Sequence, residues 1–167
     1  MKISNIIRLA GVALFAITVA ACSSSSTTTA RDMGGDLGGA ALSALAYSPN
    51  GGGFAYKSTY VNPAEFNTWA TKYKSQIETA LNALPIGYKL QITGHTDSTG
   101  PRDGDGMRKG NVWYSTERAR AVHDALVAQG IPKDKIIYKG IANDEPLPAV
   151  PSNDQMNRRV TFKVVKQ

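Results

Sequence analysis

Between Asn62 and Thr93 the chain carries a one-faced helix signal followed directly by a one-faced strand signal, and this pairing constrains the fold more than any other feature. Asn62-Pro63-Ala64-Glu65 opens the helix: Asn62 can cap, Pro63 suits the first helical position, and Glu65 can reach back as in a capping box. Phe66, Trp69, Ala70, Tyr73, Ile77, Ala80, Leu81 and Leu84 then recur at helical spacing and form one apolar stripe. Pro85-Ile86-Gly87 stops the helix, and Tyr88-Lys89-Leu90-Gln91-Ile92-Thr93 alternates as a half-buried strand should, with Tyr88, Leu90 and Ile92 on one face. A helix with one apolar stripe beside a strand with one apolar face demands a layered α/β sandwich. Trp69 and Tyr73 are read as core or its rim.

The remaining elements extend that plan. Phe54 to Tyr60 is aromatic-rich and reads as a first strand. Ser115 reads as the N-cap of a second helix whose face is Ala119, Val122, Ala125 and Leu126, with Gly130 as its stop. Lys135 to Ile141 reads as a third strand and Arg159 to Val165 as a fourth, with Val160, Phe162 and Val164 inward and Thr161 and Lys163 outward. The expected order is βαβαβ-loop-β, with helices packed on a mixed four-stranded sheet. Long crossovers allow the first three strands to pair in parallel, and the last joins antiparallel.

Upstream, the composition changes. Met1 to Ala21 carries Lys2 and Arg8 and then an apolar run from Leu9 to Ala21, the pattern of a secretory signal peptide and short for a membrane span. The run ends Val19-Ala20-Ala21-Cys22, which is similar to a lipobox and marks Cys22 as a lipidation site. Ser23 after it resembles the residue found in lipoproteins sorted to the outer membrane. Cys22 is the single cysteine, so the chain holds no internal disulfide and no cysteine-based metal site. Residues 22–53 are rich in Ser, Thr, Ala and Gly and read as a flexible tether. As a coil, about 31 residues span roughly 30 Å root-mean-square and about 100 Å fully stretched. Leu37 to Tyr47 is more apolar and reads as a short helix, either a packed extension of the domain or a segment that touches the membrane or a partner. Residues 54–167 then form one domain with its own core. Without Lys2 and Arg8, the 19 basic residues against 13 acidic leave a mature balance of +4, scattered along the chain. That suits an anionic polymer and does not require nucleic acid.

Three motifs carry chemistry. Gly94-His95-Thr96-Asp97-Ser98-Thr99-Gly100 places a carboxylate in a Gly-bounded loop at the mouth of a strand. Tyr114-Ser115-Thr116-Glu117-Arg118-Ala119 places a guanidinium in what reads as the first turn of the second helix, where free backbone N–H groups also favour an anion. Asn157-Arg158-Arg159-Val160 leads into the last strand. A fixed anion and a fixed cation together suit a zwitterion. Taken in order, with Asn111 four residues before Ser115, then Val122, Gly130-Ile131, Gly140 and Pro146, these motifs make the chain resemble the OmpA-like domain of peptidoglycan-associated lipoproteins over about two-thirds of its length.

The resemblance implies a non-enzymatic clamp on the diaminopimelate-type residue of the peptidoglycan stem peptide, in a lipid-anchored outer-membrane protein facing the periplasm. In it Asp97 accepts the ammonium and Arg118 grips the adjacent carboxylate as a two-pronged fork. Asn111, Thr96, Thr99 and Gly100 supply neutral hydrogen bonds, Tyr114 bounds the slot where relatives have Leu, and Arg158 is counted with the ligand-binding residues. Of Arg158 and Arg159, one is expected to brace the Asp97 loop and the other to be solvated. The segment 102–110 is longer than is common and is expected to form a flap, and Ala55 stands where many relatives have Asp. Some lipoproteins of this kind resemble regulators, which makes residues 31–60 a candidate docking segment for an envelope protein.

Other chemistries fit less well. His95, Asp97 and His123 could hold zinc, but His123 has no partner at ligand spacing. Asp103-Gly104-Asp105-Gly106 lacks the Gly and acid that an EF-hand requires, since Arg108 and Tyr114 stand there. No Ser stands beside a credible base for covalent catalysis. No cofactor motif is present: none of the Gly pairs sits between a strand and a helix as a phosphate loop would.

Overall fold

The computed structural model describes residues 39–167. The expected signal peptide, Cys22 and most of the expected tether lie outside the described residues. Six elements form the frame: β1 (Ala46–Tyr47), α1 (Pro63–Ala83), β2 (Tyr88–Gly94), α2 (Asn111–Ala128), β3 (Ile136–Gly140) and β4 (Val160–Lys166). They make one mixed four-stranded sheet in the order β1-β4-β2-β3. β2 and β3 run parallel, joined by the α2 crossover, while β4 lies antiparallel between β2 and β1.

Asn62 caps α1 as expected, its Oδ1 accepting from the N–H of Ala64 at 3.0 Å and of Glu65 at 3.3 Å. Glu65 does not close a capping box; its carboxylate accepts from the N–H of Asn50 at 2.5 Å and so pins the chain before the helix. The stripe is buried as the spacing demands. Phe66, Ala70, Ile77, Ala80 and Leu81 enter the core beside Leu90, Ile92, Ala119, Val122, Leu126, Val160 and Phe162, with Trp69, Tyr73 and Leu84 at its margin. Trp69 stacks on Phe162 with centroids 5.5 Å apart, and its Nε1 donates to Ala46 O at 3.1 Å. Burying Phe162 and such neighbours stabilises the fold by about 1.5–3 kcal/mol per side chain.

Two expectations about the N-terminal part are corrected. The first strand is β1, not Phe54–Tyr60, and it pairs antiparallel with β4. In the 54–60 segment Phe54 alone is buried deep in the core. Phe54 N–H donates to Arg158 O at 2.8 Å, a turn closes from Ser58 N–H to Ala55 O, and Lys57 has φ +56°. A left-handed residue in mid-segment breaks a strand's alternation, and it leaves Tyr56 and Tyr60 exposed. The folded unit also begins before residue 54. Leu42, Leu45 and Tyr47 belong to the core, Tyr47 meeting Phe54, Phe66 and Trp69 edge-on, so the flexible tether cannot extend to residue 53. The packed-extension reading of that segment holds for residues 42–47.

The layers come closest where α2 crosses the ends of β2 and β3. Gly94 and Gly140 are register partners there. A Cβ on Gly94 would lie 1.9 Å from Ser115 O, and one on Gly140 would lie 2.3 Å from Thr116 N. These two glycines let the helix backbone rest directly on the strand ends that carry the site.

Candidate functional site

β2 ends at Gly94, and three of the next four residues are each tied to a different backbone. His95 N–H donates to Arg159 O at 2.9 Å, Thr96 N–H to Ala142 O at 2.8 Å, and Ser98 N–H to Ser152 O at 2.9 Å. Asn111 Nδ2 donates to Asp97 O at 3.4 Å. Ser115 secures the same region from the helix side: its Oγ accepts from Ala142 N–H at 3.0 Å and donates to Val112 O at 2.9 Å. Asn157 orders the loop before β4, accepting from Leu147 N–H at 2.7 Å and donating to Pro151 O at 2.8 Å. The backbone carrying Asp97 is therefore fixed before any ligand arrives, so binding would incur little ordering entropy.

Asp97 is almost wholly buried. Its Oδ2 pairs with Arg158 Nη1 at 2.5 Å, and its Oδ1 accepts from Thr99 N–H at 3.2 Å. Of the two arginines of that motif it is Arg158 that braces the loop, and it also donates from Nε to Phe54 O at 2.5 Å. A carboxylate offers about four lone-pair positions, so acceptor capacity remains for an incoming donor.

Arg118 departs from expectation in two ways. The second helix begins at Asn111 with Gly110 at its N-cap, so Ser115 is a buried helical residue and Arg118 lies in the third turn. Helix-terminal N–H groups therefore do not assist it; those of Asn111 and Val112 donate to Pro101 O and Arg102 O. Arg118 is 1 % exposed. Nε donates to Ser58 O at 2.9 Å and Nη1 to His95 O at 3.0 Å, while the guanidinium lies over the Phe54 ring at 5.2 Å. Among the described residues it has no carboxylate partner. Burial, and then the neighbouring Arg158 charge, lower its pKa to about 10, with Asp97 and Tyr114 acting in the opposite direction. It stays charged at neutral pH, and a buried cation held by carbonyls and a ring, with another cation nearby and no carboxylate bonded to it, favours an anion.

All eight residues singled out from sequence, Thr96, Asp97, Thr99, Gly100, Asn111, Tyr114, Arg118 and Arg158, line one narrow pocket. Its interior volume is about 30 Å³. Sequence reasoning missed Tyr56, Lys57, Pro101 and Lys109, which complete the lining. Tyr56 and Lys57 were hidden by the mistaken strand, whereas Ala55 does not line the pocket. Lys109 belongs to the 102–110 segment. There Arg102 forms a two-pronged pair with Asp144, and Arg108 closes a small turn on Asp105 through Nε at 2.9 Å and Nη2 at 2.6 Å.

Arg159 lies outside the pocket lining. It is buried rather than solvated, and it donates from Nη2 to Glu145 O at 3.1 Å. His95 lies near it, its Nε2 bonded to Thr161 Oγ1 at 2.8 Å. Burial, aided by the Arg159 charge, lowers the His95 pKa to about 3. His123 stands apart, against Asp124 at 2.8 Å and the Tyr138 ring at 5.1 Å. Among the described residues no three His, Cys, Asp or Glu side chains converge as a metal site. No helix among them is long and apolar enough to cross a membrane.

Residues 67–159, from the first turns of α1 to the arginine pair before β4, match the OmpA family. The chain belongs to the OmpA family. The peptidoglycan-binding protein ArfA of Mycobacterium tuberculosis, like that of Mycobacterium bovis, is 34% identical over 92 residues, 54% of this chain and 26% of ArfA. The likeness thus spans about a quarter of those relatives' length. The periplasmic domain of MotB from Helicobacter pylori superimposes with a TM-score of 0.54 at 18% identity, covering 74% of this chain and 81% of that one. That likeness supports the fold alone: helices on a mixed four-stranded sheet, as the OmpA resemblance implied.

Proposed function

We propose that this OmpA-family chain is an outer-membrane lipoprotein, anchored through Cys22 and facing the periplasm, that binds peptidoglycan non-covalently and ties the membrane to the wall. The observation that carries the reading is the convergence of buried Asp97 and carboxylate-free Arg118 in one pocket. Asp97 accepts from the ammonium at a diaminopimelate-type centre, and Arg118 pairs with the carboxylate on the same carbon. Asn111, Thr96, Thr99 and Gly100 supply neutral contacts, and Tyr114 bounds the slot. A wall-binding relative, ArfA, supports the choice of polymer.

The test is co-sedimentation of the chain from Ser23 onward with purified sacculi, comparing wild type with Arg118→Lys. The lysine keeps the charge and loses the fork, so binding falls at least about thirty-fold if the desolvated contact is worth about 2–5 kcal/mol. Folding of each is checked by circular dichroism. Equal pelleting of both folded proteins, or failure of the wild type to pellet, sinks the reading.

A second reading, an envelope protein docking on residues 31–60, is narrowed by the fold. Leu42, Leu45, Tyr47 and Phe54 are committed to the core. What favours it is Tyr60, 67 % exposed beside a groove formed by residues 57–63 and the Ala121, Ala125 and Ala128 face of α2. Capture of one envelope protein by wild type and not by Tyr60→Ala would support it.

A further inference from the structure

The pocket lining carries four cations and one anion. Asp97 is already paired with Arg158. Arg118 is buried without a carboxylate, and Lys57 and Lys109 also line the pocket. Neither lysine makes an ion pair among the described residues. Each instead holds its ammonium over an aromatic ring of the rim, Lys57 over Tyr56 at 5.3 Å and Lys109 over Trp113 at 5.2 Å. Both are placed by structure. Lys57 sits at φ +56°, a conformation that non-glycine residues adopt only when their surroundings impose it. Lys109 precedes Gly110, where a Cβ would lie 2.3 Å from the Asp103 carbonyl carbon, so the 102–110 segment is folded tightly against the start of α2.

A zwitterionic amino-acid centre has no net charge and would leave this surplus unanswered. The pocket's charges exceed what one ammonium and one carboxylate can balance, and the excess stands where the ligand leaves the pocket. We infer that Lys57 and Lys109 form an acid-selecting rim: the site prefers stem peptides with a second free carboxylate beside the bound centre over those in which it is a carboxamide. The inference rests on the clamp reading above and deepens it, because Arg118 takes the first carboxylate and the lysines discriminate at the second. A carboxamide keeps the shape and loses the charge, so the rim reads ionisation rather than size.

The experiment is calorimetric titration of the chain from Ser23 onward with two soluble stem peptides that share one diamino acid. One has all carboxylates free, and the other carries a single carboxamide at the second carboxyl group, the one beside the bound centre. Wild type is expected to favour the free acid by about tenfold, the sum of two exposed charge contacts, and less at high salt. The double variant Lys57→Asn, Lys109→Gln is expected to bring the two peptides within about twofold by weakening the acid form only. Asn tolerates the left-handed backbone at position 57. Equal binding of acid and amide by wild type overturns the inference while leaving the clamp standing. A preference that persists in the double variant overturns the assignment to these lysines. No binding of either peptide by folded wild type removes the clamp itself, and the rim with it.

Discussion

The pocket is built from two regions that obey different physics. Its floor, Thr96 and Asp97 with Arg118 and Arg158, backed by His95, is made of buried polar groups, nearly every one tied to a backbone atom of another element. Its rim, residues 56–57 and 102–110, is made of exposed charges that pair with one another or lie over rings. Floor and rim face the same ligand space, yet a charge in the floor is felt at low dielectric while one in the rim is screened by water. The floor should therefore couple binding to stability, and the rim should affect binding with little consequence for folding.

The largest effect should come from Gly94→Ala, because the methyl must displace the backbone carbonyl of Ser115, which no rotamer change can accommodate. A loss of about 3 kcal/mol or more is expected, with a shifted denaturation midpoint and no binding. A midpoint unchanged from wild type would mean the floor is softer than its contacts imply. Asp97→Asn comes next. The ligand reading alone predicts a folded, non-binding protein. The structure predicts more, because Arg158 would be left buried without its counter-charge, at a cost of about 3–5 kcal/mol. Urea unfolding decides between a purely functional Asp97 and one that also holds the fold.

Acid should separate the regions without any mutation. His95 is kept neutral in the folded state down to about pH 3, whereas it ionises near its ordinary value of 6.5 when unfolded. Its contribution to stability is complete above pH 6.5 and declines as pH falls toward 3, because the unfolded chain then binds a proton the folded one excludes. The slope should be on the order of 1 kcal/mol per pH unit, and His95→Gln should remove that share of it. An unchanged slope in the variant would place the acid sensitivity elsewhere.

What was legible in the sequence follows the same division. The stripe from Phe66 to Leu81 and the alternation through Ile92 and Phe162 identified α1, β2 and β4, because one-sided burial imposes a period on residue type. The eight pocket residues came from ordered motifs in the loop after β2, on α2 and just before β4. Reading failed where tertiary contacts, not periodicity, decide the backbone. Phe54 and Tyr60 looked like strand residues, but the edge of β4 is occupied by Ala46–Tyr47, and Lys57 turns the chain instead. Ser115 has the chemistry of a cap, yet Gly110 and the carbonyls of Pro101 and Arg102 start the helix a full turn earlier, freeing Ser115 to hold Ala142. The rim lysines carry no motif at all; only the fold reveals that positions 57 and 109 share a pocket.

The smallest effect tests the rim's independence most directly. Arg102 grips Asp144 with both arms of its fork, and this pair spans from the 102–110 segment to the loop after β3. The pair raises the Arg102 pKa and lowers that of Asp144, but both side chains are about half exposed. Water competes for such a contact, and salt screens it. Arg102→Gln should therefore leave the unfolding midpoint almost unmoved while loosening the segment that carries Lys109. Hydrogen exchange at residues 103–110 should quicken, and exchange through β2 and α2 should stay at wild-type rates. Faster exchange spreading into β2 would show that floor and rim are one cooperative unit, and the contrast between them would fail.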